Sequence, residues 1–164
     1  MKFEVPLLVK IGLLVVGTTL MYTYIGQLVP QKQVFPPEVI ELPDDMSPGE
    51  LAEVGQTIFQ GKGLCQTCHT IGKSGALRFP DLGNIASRAA TQVDGLDELQ
   101  YLAQSLYEPD AYIVPGYNPV MPAMDKPPIA LTDPEIMAVI AYLQTLGGEP
   151  TVTLETELGY GGGS

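Results

Sequence analysis

Hydrophobic and polar positions fall into three regimes along this chain. From Val5 to Val29 nearly every residue is apolar, broken by Lys10 and a few Thr, Tyr and Gln, and the nineteen residues from Ile11 to Val29 carry no charge. As a helix that uncharged run rises about 28 Å, close to the hydrocarbon thickness of a bilayer. Residues 1–29 are therefore predicted to form a transmembrane anchor. A cleaved secretory signal would need a small-residue site of the A-x-A kind, and no Ala precedes Ala52. Pro30 to Pro48 holds five prolines in nineteen residues, which predicts an extended, semi-rigid spacer over 30–46.

Helical periodicity follows. Ser47-Pro48-Gly49-Glu50 is a capping box with Pro at the first helical position. It predicts a helix with Ala52, Gly55, Ile58 and Phe59 on its inner face, stopped by Gly61 to Gly63. A short second helix fits Asn84 to Ala90, and a third fits Leu96 to Tyr107, with Asp94 as its cap and Pro109 beyond its end. The last runs from Pro134 to Leu146 behind a second box, Thr132-Asp133-Pro134-Glu135. Ile136, Val139, Ile140 and Leu143 repeat in it at helical spacing, and Gly147-Gly148 close it. No alternating stretch is long enough to argue for a sheet, so the expected class is all-α, with the folded domain over 47–147. From Glu149 the chain turns polar and Gly-rich, and a disordered tail over 148–164 is expected.

Charge narrows the partners. From Phe35 onward there are five Lys and Arg against eighteen Asp and Glu, a formal −13. Phosphates would repel such a domain, which excludes nucleic acid. The acidic field is either a solvated surface or a guide for a redox partner with a basic surface. Lys2 and Lys10 precede the apolar run and Lys32 follows it. That bias puts the N-terminus in the cytoplasm and the folded domain outside, with Tyr22 and Tyr24 toward the outer interface of the bilayer.

The chemistry centres on Cys65-Gln66-Thr67-Cys68-His69. C-x-x-C-H is the attachment spacing of a c-type haem. The thiols add across the two vinyl groups, and the adjoining imidazole coordinates the iron. The chain has two Cys and one His in total, too few for a zinc site of four such ligands. A thioredoxin-like C-x-x-C would lie near a βαβ pattern, which is missing, and a disulfide closing so small a loop would stabilise little. One covalent haem c is expected, and it completes the core of a domain that would be marginal alone. With no second His, a thioether is the natural donor on the far side of the iron. Met1 and Met21 belong to the anchor, Met46 precedes the domain, and Met137 falls on the apolar stripe of the last helix. Met121 and Met124 remain, in a loop stiffened by Pro115, Pro119 and Pro122.

From Ser47 to Gly147 the chain resembles a class I cytochrome c domain. Gly55 and Phe59 match the glycine and aromatic of that family's first helix, and Tyr142 matches the C-terminal helix aromatic that they cross. Pro80, in Phe79-Pro80-Asp81-Leu82, matches the proline whose carbonyl orients the ligand His, and Leu82 would pack on the haem. Met121-Pro122 matches the family's Met-Pro pair. The resemblance thus implies His69 and Met121 as iron ligands, with Tyr112, Tyr117 and Arg78 as contacts to the haem or its propionates. It also implies a six-coordinate iron that moves one electron and offers substrate no site.

Three functions fit that picture: a fixed subunit of a membrane oxidoreductase, a tethered shuttle, and a haem enzyme whose Met ligand is labile. The layout resembles the anchored monohaem subunit of alternative complex III, a quinol-oxidising assembly. It is also similar to the cytochrome subunit of nitric oxide reductase and to oxidase-linked tethered cytochromes. The expected partners are other subunits of a membrane redox complex and the lipid bilayer.

Overall fold

The computed structural model describes residues 6–29 and 42–160. They fall in two compact units, one within 1–38 and the other within 39–164. Most of the expected spacer, and the last four residues of the expected tail, lie outside the described residues.

The first unit is a single helix, α1 (Leu7–Leu28), begun at Pro6, whose carbonyl accepts from the amides of Val9 and Lys10. Its 22 residues span about 33 Å. The hydroxyls of Thr18, Thr19 and Thr23 donate to Leu14, Val15 and Thr19 carbonyls one turn back, at 2.8 to 2.9 Å. The helix therefore satisfies these polar groups internally, as an apolar medium demands. It is long and apolar enough to cross a membrane, a property that an N-terminal signal sequence shares.

The second unit is all-helical, with no strand among the described residues. Helix α2 (Pro48–Gln60) starts at the expected box, where Ser47 and Glu50 cap each other's amides. Helices α3 (Ile85–Ala89) and α4 (Glu98–Tyr107) follow, then α5 (Asp133–Thr145) behind the Thr132–Glu135 box. The expected cap of α4 was one box too early. Asp97, not Asp94, caps the helix, because Gln100 three residues on reciprocates at 3.1 Å while Asp97 accepts from its amide at 2.8 Å.

Helices α2 and α5 make the principal helix–helix contact. They cross at Gly55, where a Cβ would lie 1.8 Å from the Ala138 carbonyl oxygen. One turn on, Phe59 meets Tyr142 with ring centroids 5.2 Å apart. α5 is buried on nearly every side rather than along one stripe, because α2, α4 and the chain beyond residue 148 all pack around it. Glu135 in its first turn is 2% exposed and lies 2.7 Å from the Lys62 ammonium, which reaches it from the end of α2. Burial pushes the Glu135 carboxyl up, but the Lys62 and Thr132 bonds outweigh it and leave it below the usual range. Removing only one partner strands a buried charge. Lys62→Met is thus expected to lower the holoprotein's unfolding free energy by about 3 kcal/mol in urea titration. The double change Lys62→Met/Glu135→Leu should recover most of that loss.

The segment after α5 departs from expectation. The Gln144 amide oxygen accepts from the Thr151 and Val152 backbone at 2.9 and 3.3 Å, and its NH2 donates to Thr151 Oγ1 at 3.0 Å. Val152 and Leu158 are 1% and 5% exposed, and Tyr160 stacks on Tyr107 at 5.9 Å. Residues 149–160 thus close one side of the core. The disorder expectation weighed polar and Gly content and overlooked the spaced apolar side chains Val152, Leu154, Leu158 and Tyr160 that a partly open core can take up.

Candidate functional site

The site begins where α2 ends. Gly61 and Gly63 turn the chain back, their amides donating to carbonyls at Thr57 and Ile58. A Cβ on Gly63 would approach the Ile58 oxygen to 3.0 Å and Cys65 Sγ to 3.2 Å, so any larger residue would crowd the thiol. Leu64 then takes a left-handed conformation, φ 54°, uncommon for a residue with a side chain. The Cys65 carbonyl accepts from the amides of both Cys68 (3.2 Å) and His69 (2.8 Å), which winds Cys65–His69 into one tight turn. Positions i, i+3 and i+4 of such a turn share a face. Both sulfurs and the imidazole accordingly line one cavity.

His69 Nδ1 lies 2.8 Å from the Pro80 carbonyl oxygen. A carbonyl only accepts, so Nδ1 carries the hydrogen, which leaves Nε2 as the nitrogen to offer a metal. Burial pushes the Cys65 thiol up to about 11, which keeps it uncharged in an apolar wall. Cys68 is exposed.

The cavity measures about 280 Å³, and its walls come from every helix of the unit: Phe59 of α2, Ile85 of α3, Leu102 and Leu106 of α4, Val139 and Leu143 of α5. The loop 109–124 closes it and brings both candidate thioethers to the wall. They differ in setting. Met124 is 5% exposed and pinned by its backbone, its amide donating to the Leu106 carbonyl and its carbonyl accepting from the Leu131 amide, both at 2.8 Å. Met121 is half-buried.

A flat apolar ring attached through two thiols suits these walls, with an imidazole and two thioethers among the donors that line them. The residues fit a haem. The family model for cytochrome c matches residues 52–147. The chain belongs to the cytochrome c family. No curated protein matches it. Membership implies a covalently bound haem c and electron transfer.

Pro80, Leu82, Tyr112 and Tyr117 all line the cytochrome's cavity, and Tyr112 meets the buried Tyr101 edge-on at 6.1 Å. Arg78 does not. Its side chain is exposed, with the guanidinium 5.3 Å over the Phe79 ring. Arg88 of α3 lines the cavity instead and donates to the Asp81 carbonyl. A signal for it was present: Arg88 is the one charge in the otherwise small and apolar helix Ile85-Ala86-Ser87-Arg88-Ala89. Tyr101 and Ser105 also face the cavity from α4. Nothing in helical spacing alone distinguishes a wall of the core from a wall of a cofactor site.

Proposed function

We propose that this cytochrome is a membrane-anchored carrier of single electrons, holding one haem through Cys65 and Cys68, with His69 and Met121 as the iron's axial ligands. The observation that carries the reading is the His69–Pro80 bond at 2.8 Å beside both thiols in one apolar cavity. When bound, the haem supplies the one-electron Fe(III)/Fe(II) couple. The chain's own part is to fix the imidazole, to exclude water with aromatic and aliphatic walls, and to keep a soft thioether opposite, which favours the ferrous state. Met121 is favoured over Met124 because it precedes Pro122 and its backbone is not tied into the core. Arg88 takes the propionate role expected of Arg78.

In this reading α1 is the anchor, and the bias of Lys2 and Lys10 over Lys32 supports an extracytoplasmic cytochrome unit. A fixed subunit of a quinol-oxidising membrane complex, of the alternative complex III kind, is the preferred setting. The partners are other subunits of that complex and a carrier with a basic surface, attracted by the acidic charge of the domain. A carbon monoxide test separates a carrier from a haem enzyme. The ferrous holoprotein should leave the gas unbound, and rapid binding would place an open iron site in its stead. Salt separates the settings. Stopped-flow reduction by a small basic carrier should slow as ionic strength rises, since charges attract over only about 8 Å at physiological salt. Flash-initiated transfer inside the purified complex should hardly change. A flat or rising external rate means that the acidic surface is merely solvated.

A further inference from the structure

The loop between His69 and Pro80 is built around one carboxylate that the electron-transfer reading leaves unused. Asp81 Oδ2 accepts from the Thr70 hydroxyl at 2.6 Å and the Lys73 amide at 2.9 Å. Its Oδ1 accepts from the amides of Gly72 at 2.9 Å and Gly83 at 2.7 Å. Three of these donors follow His69 directly, and the fourth follows Pro80. The Leu82 amide donates to the Thr70 carbonyl at 2.8 Å, and Arg88 donates to the Asp81 carbonyl, so the loop is closed from both sides. The two segments touch backbone to backbone: a Cβ on Gly83 would stand 2.8 Å from the Gly72 nitrogen.

That geometry bears on the imidazole. The carbonyl that holds His69 Nδ1 belongs to the peptide linking Pro80 to Asp81. Proline has no amide hydrogen of its own with which to anchor it. The orientation of this peptide therefore rests on its other residue. We propose that Asp81 is a positioning residue for the axial imidazole, its carboxylate locking the Pro80 carbonyl against the segment that follows His69. The inference rests on the reading of His69 as an iron ligand.

Two effects of Asp81 act in the same direction. A tightly held acceptor on Nδ1–H makes the imidazole a better donor, and a fixed negative charge near the ligand favours Fe(III) over Fe(II). The carboxyl is held down to about 2, chiefly by the Thr70 hydroxyl and the loop amides, so the charge is permanent at any working pH. An Asn side chain has one accepting oxygen and an NH2 that cannot accept, so Asp81→Asn loses charge and loop bonds together. Asp81→Glu keeps the charge but displaces it by a methylene. Thr70→Val keeps shape and removes only the shortest bond.

The test uses the full chain with its covalent haem, comparing the wild type with these three variants and with Asp94→Asn, which neutralises an exposed carboxylate elsewhere. Proton NMR of the ferric haem methyls reads the orientation of the imidazole plane, and redox titration reads the couple. Asp81→Asn should change the order or spread of the methyl resonances. It should also move the reduction equilibrium toward Fe(II), by about tenfold if the couple responds as metal affinity does at the low end for loss of a ligand's outer partner. Thr70→Val should move both in the same sense by less, Asp81→Glu should move mainly the methyls, and Asp94→Asn should move neither. Wild-type methyls and couple in both Asp81→Asn and Thr70→Val, whatever their stability, would reduce Asp81 to a loop staple and overturn the proposal. The ligand reading fails separately: it falls if His69→Ala retains the low-spin ferric spectrum of the wild type.

Discussion

Gly55→Val is expected to yield almost no folded holoprotein. A Cβ at this position would sit 1.8 Å from the Ala138 oxygen, 2.4 Å from its carbonyl carbon and 3.0 Å from Tyr142 Cβ. Two of these three are backbone atoms of α5, which cannot swing aside as a flexible side chain can. Relief requires α2 and α5 to separate, and that breaks the Phe59–Tyr142 contact and the burial of Leu51, Ile58, Ile136 and Ile140, all within 1% of full burial. Overpacking commonly costs about 1–3 kcal/mol even where neighbours adjust. Here they cannot, and a domain of this size has about 5–15 kcal/mol in all. The damage also reaches the chemistry, because α2 leads through Gly61 and Gly63 directly into the Cys65–His69 turn. Gly55→Ala should act in the same direction. The readouts are the yield of covalently haemylated protein and its melting temperature. An alanine variant that melts with the wild type would show that the two helices do not cross at this residue.

The two methionines should part company in a way that single-property assays would miss. Met121→Ala is expected to abolish the weak red-end absorption that reports thioether ligation of Fe(III) and to lower the reduction potential, with little change in unfolding free energy. Met124→Ala should keep the band and nearly the same potential. It should lose about 2–5 kcal/mol of stability, the usual result of emptying a methionine-sized volume in a core. The difference follows from burial: Met124 is 5% exposed and tied to Leu106 and Leu131 by its backbone, whereas Met121 is half-buried on the cavity wall. An exchange of these outcomes would assign the ligand to Met124.

What was legible in the sequence was local. The Ser47 and Thr132 boxes, the 3.6-residue stripes and the C-x-x-C-H spacing each specify a structure within a few residues, and α2, α5 and the tight turn stand where those signals put them. The family glycine and aromatics gave the crossing of α2 on α5. Features that depend on distant neighbours were not legible. Arg88 carried a local hint as the one charge of its small apolar helix, but which arginine reaches the cavity is decided by the packing of α3. Gln144 reads as a polar residue near a helix end, yet it is 3% exposed because it receives the chain at Thr151 and Val152. Asp81 lay inside a motif read only for its Pro and Leu, since the four donors that give it meaning are scattered from Thr70 to Gly83.

The most direct test of the central claim is whether the haem is covalent and single. The full chain, produced with a functional c-type maturation system, should be denatured and extracted with acid–acetone, then assayed as its pyridine haemochrome against total protein. All of the haem should stay with the polypeptide, at one per chain, with the absorption of a haem whose two vinyl groups are saturated. Haem released into the solvent, or a stoichiometry other than one, would contradict the account.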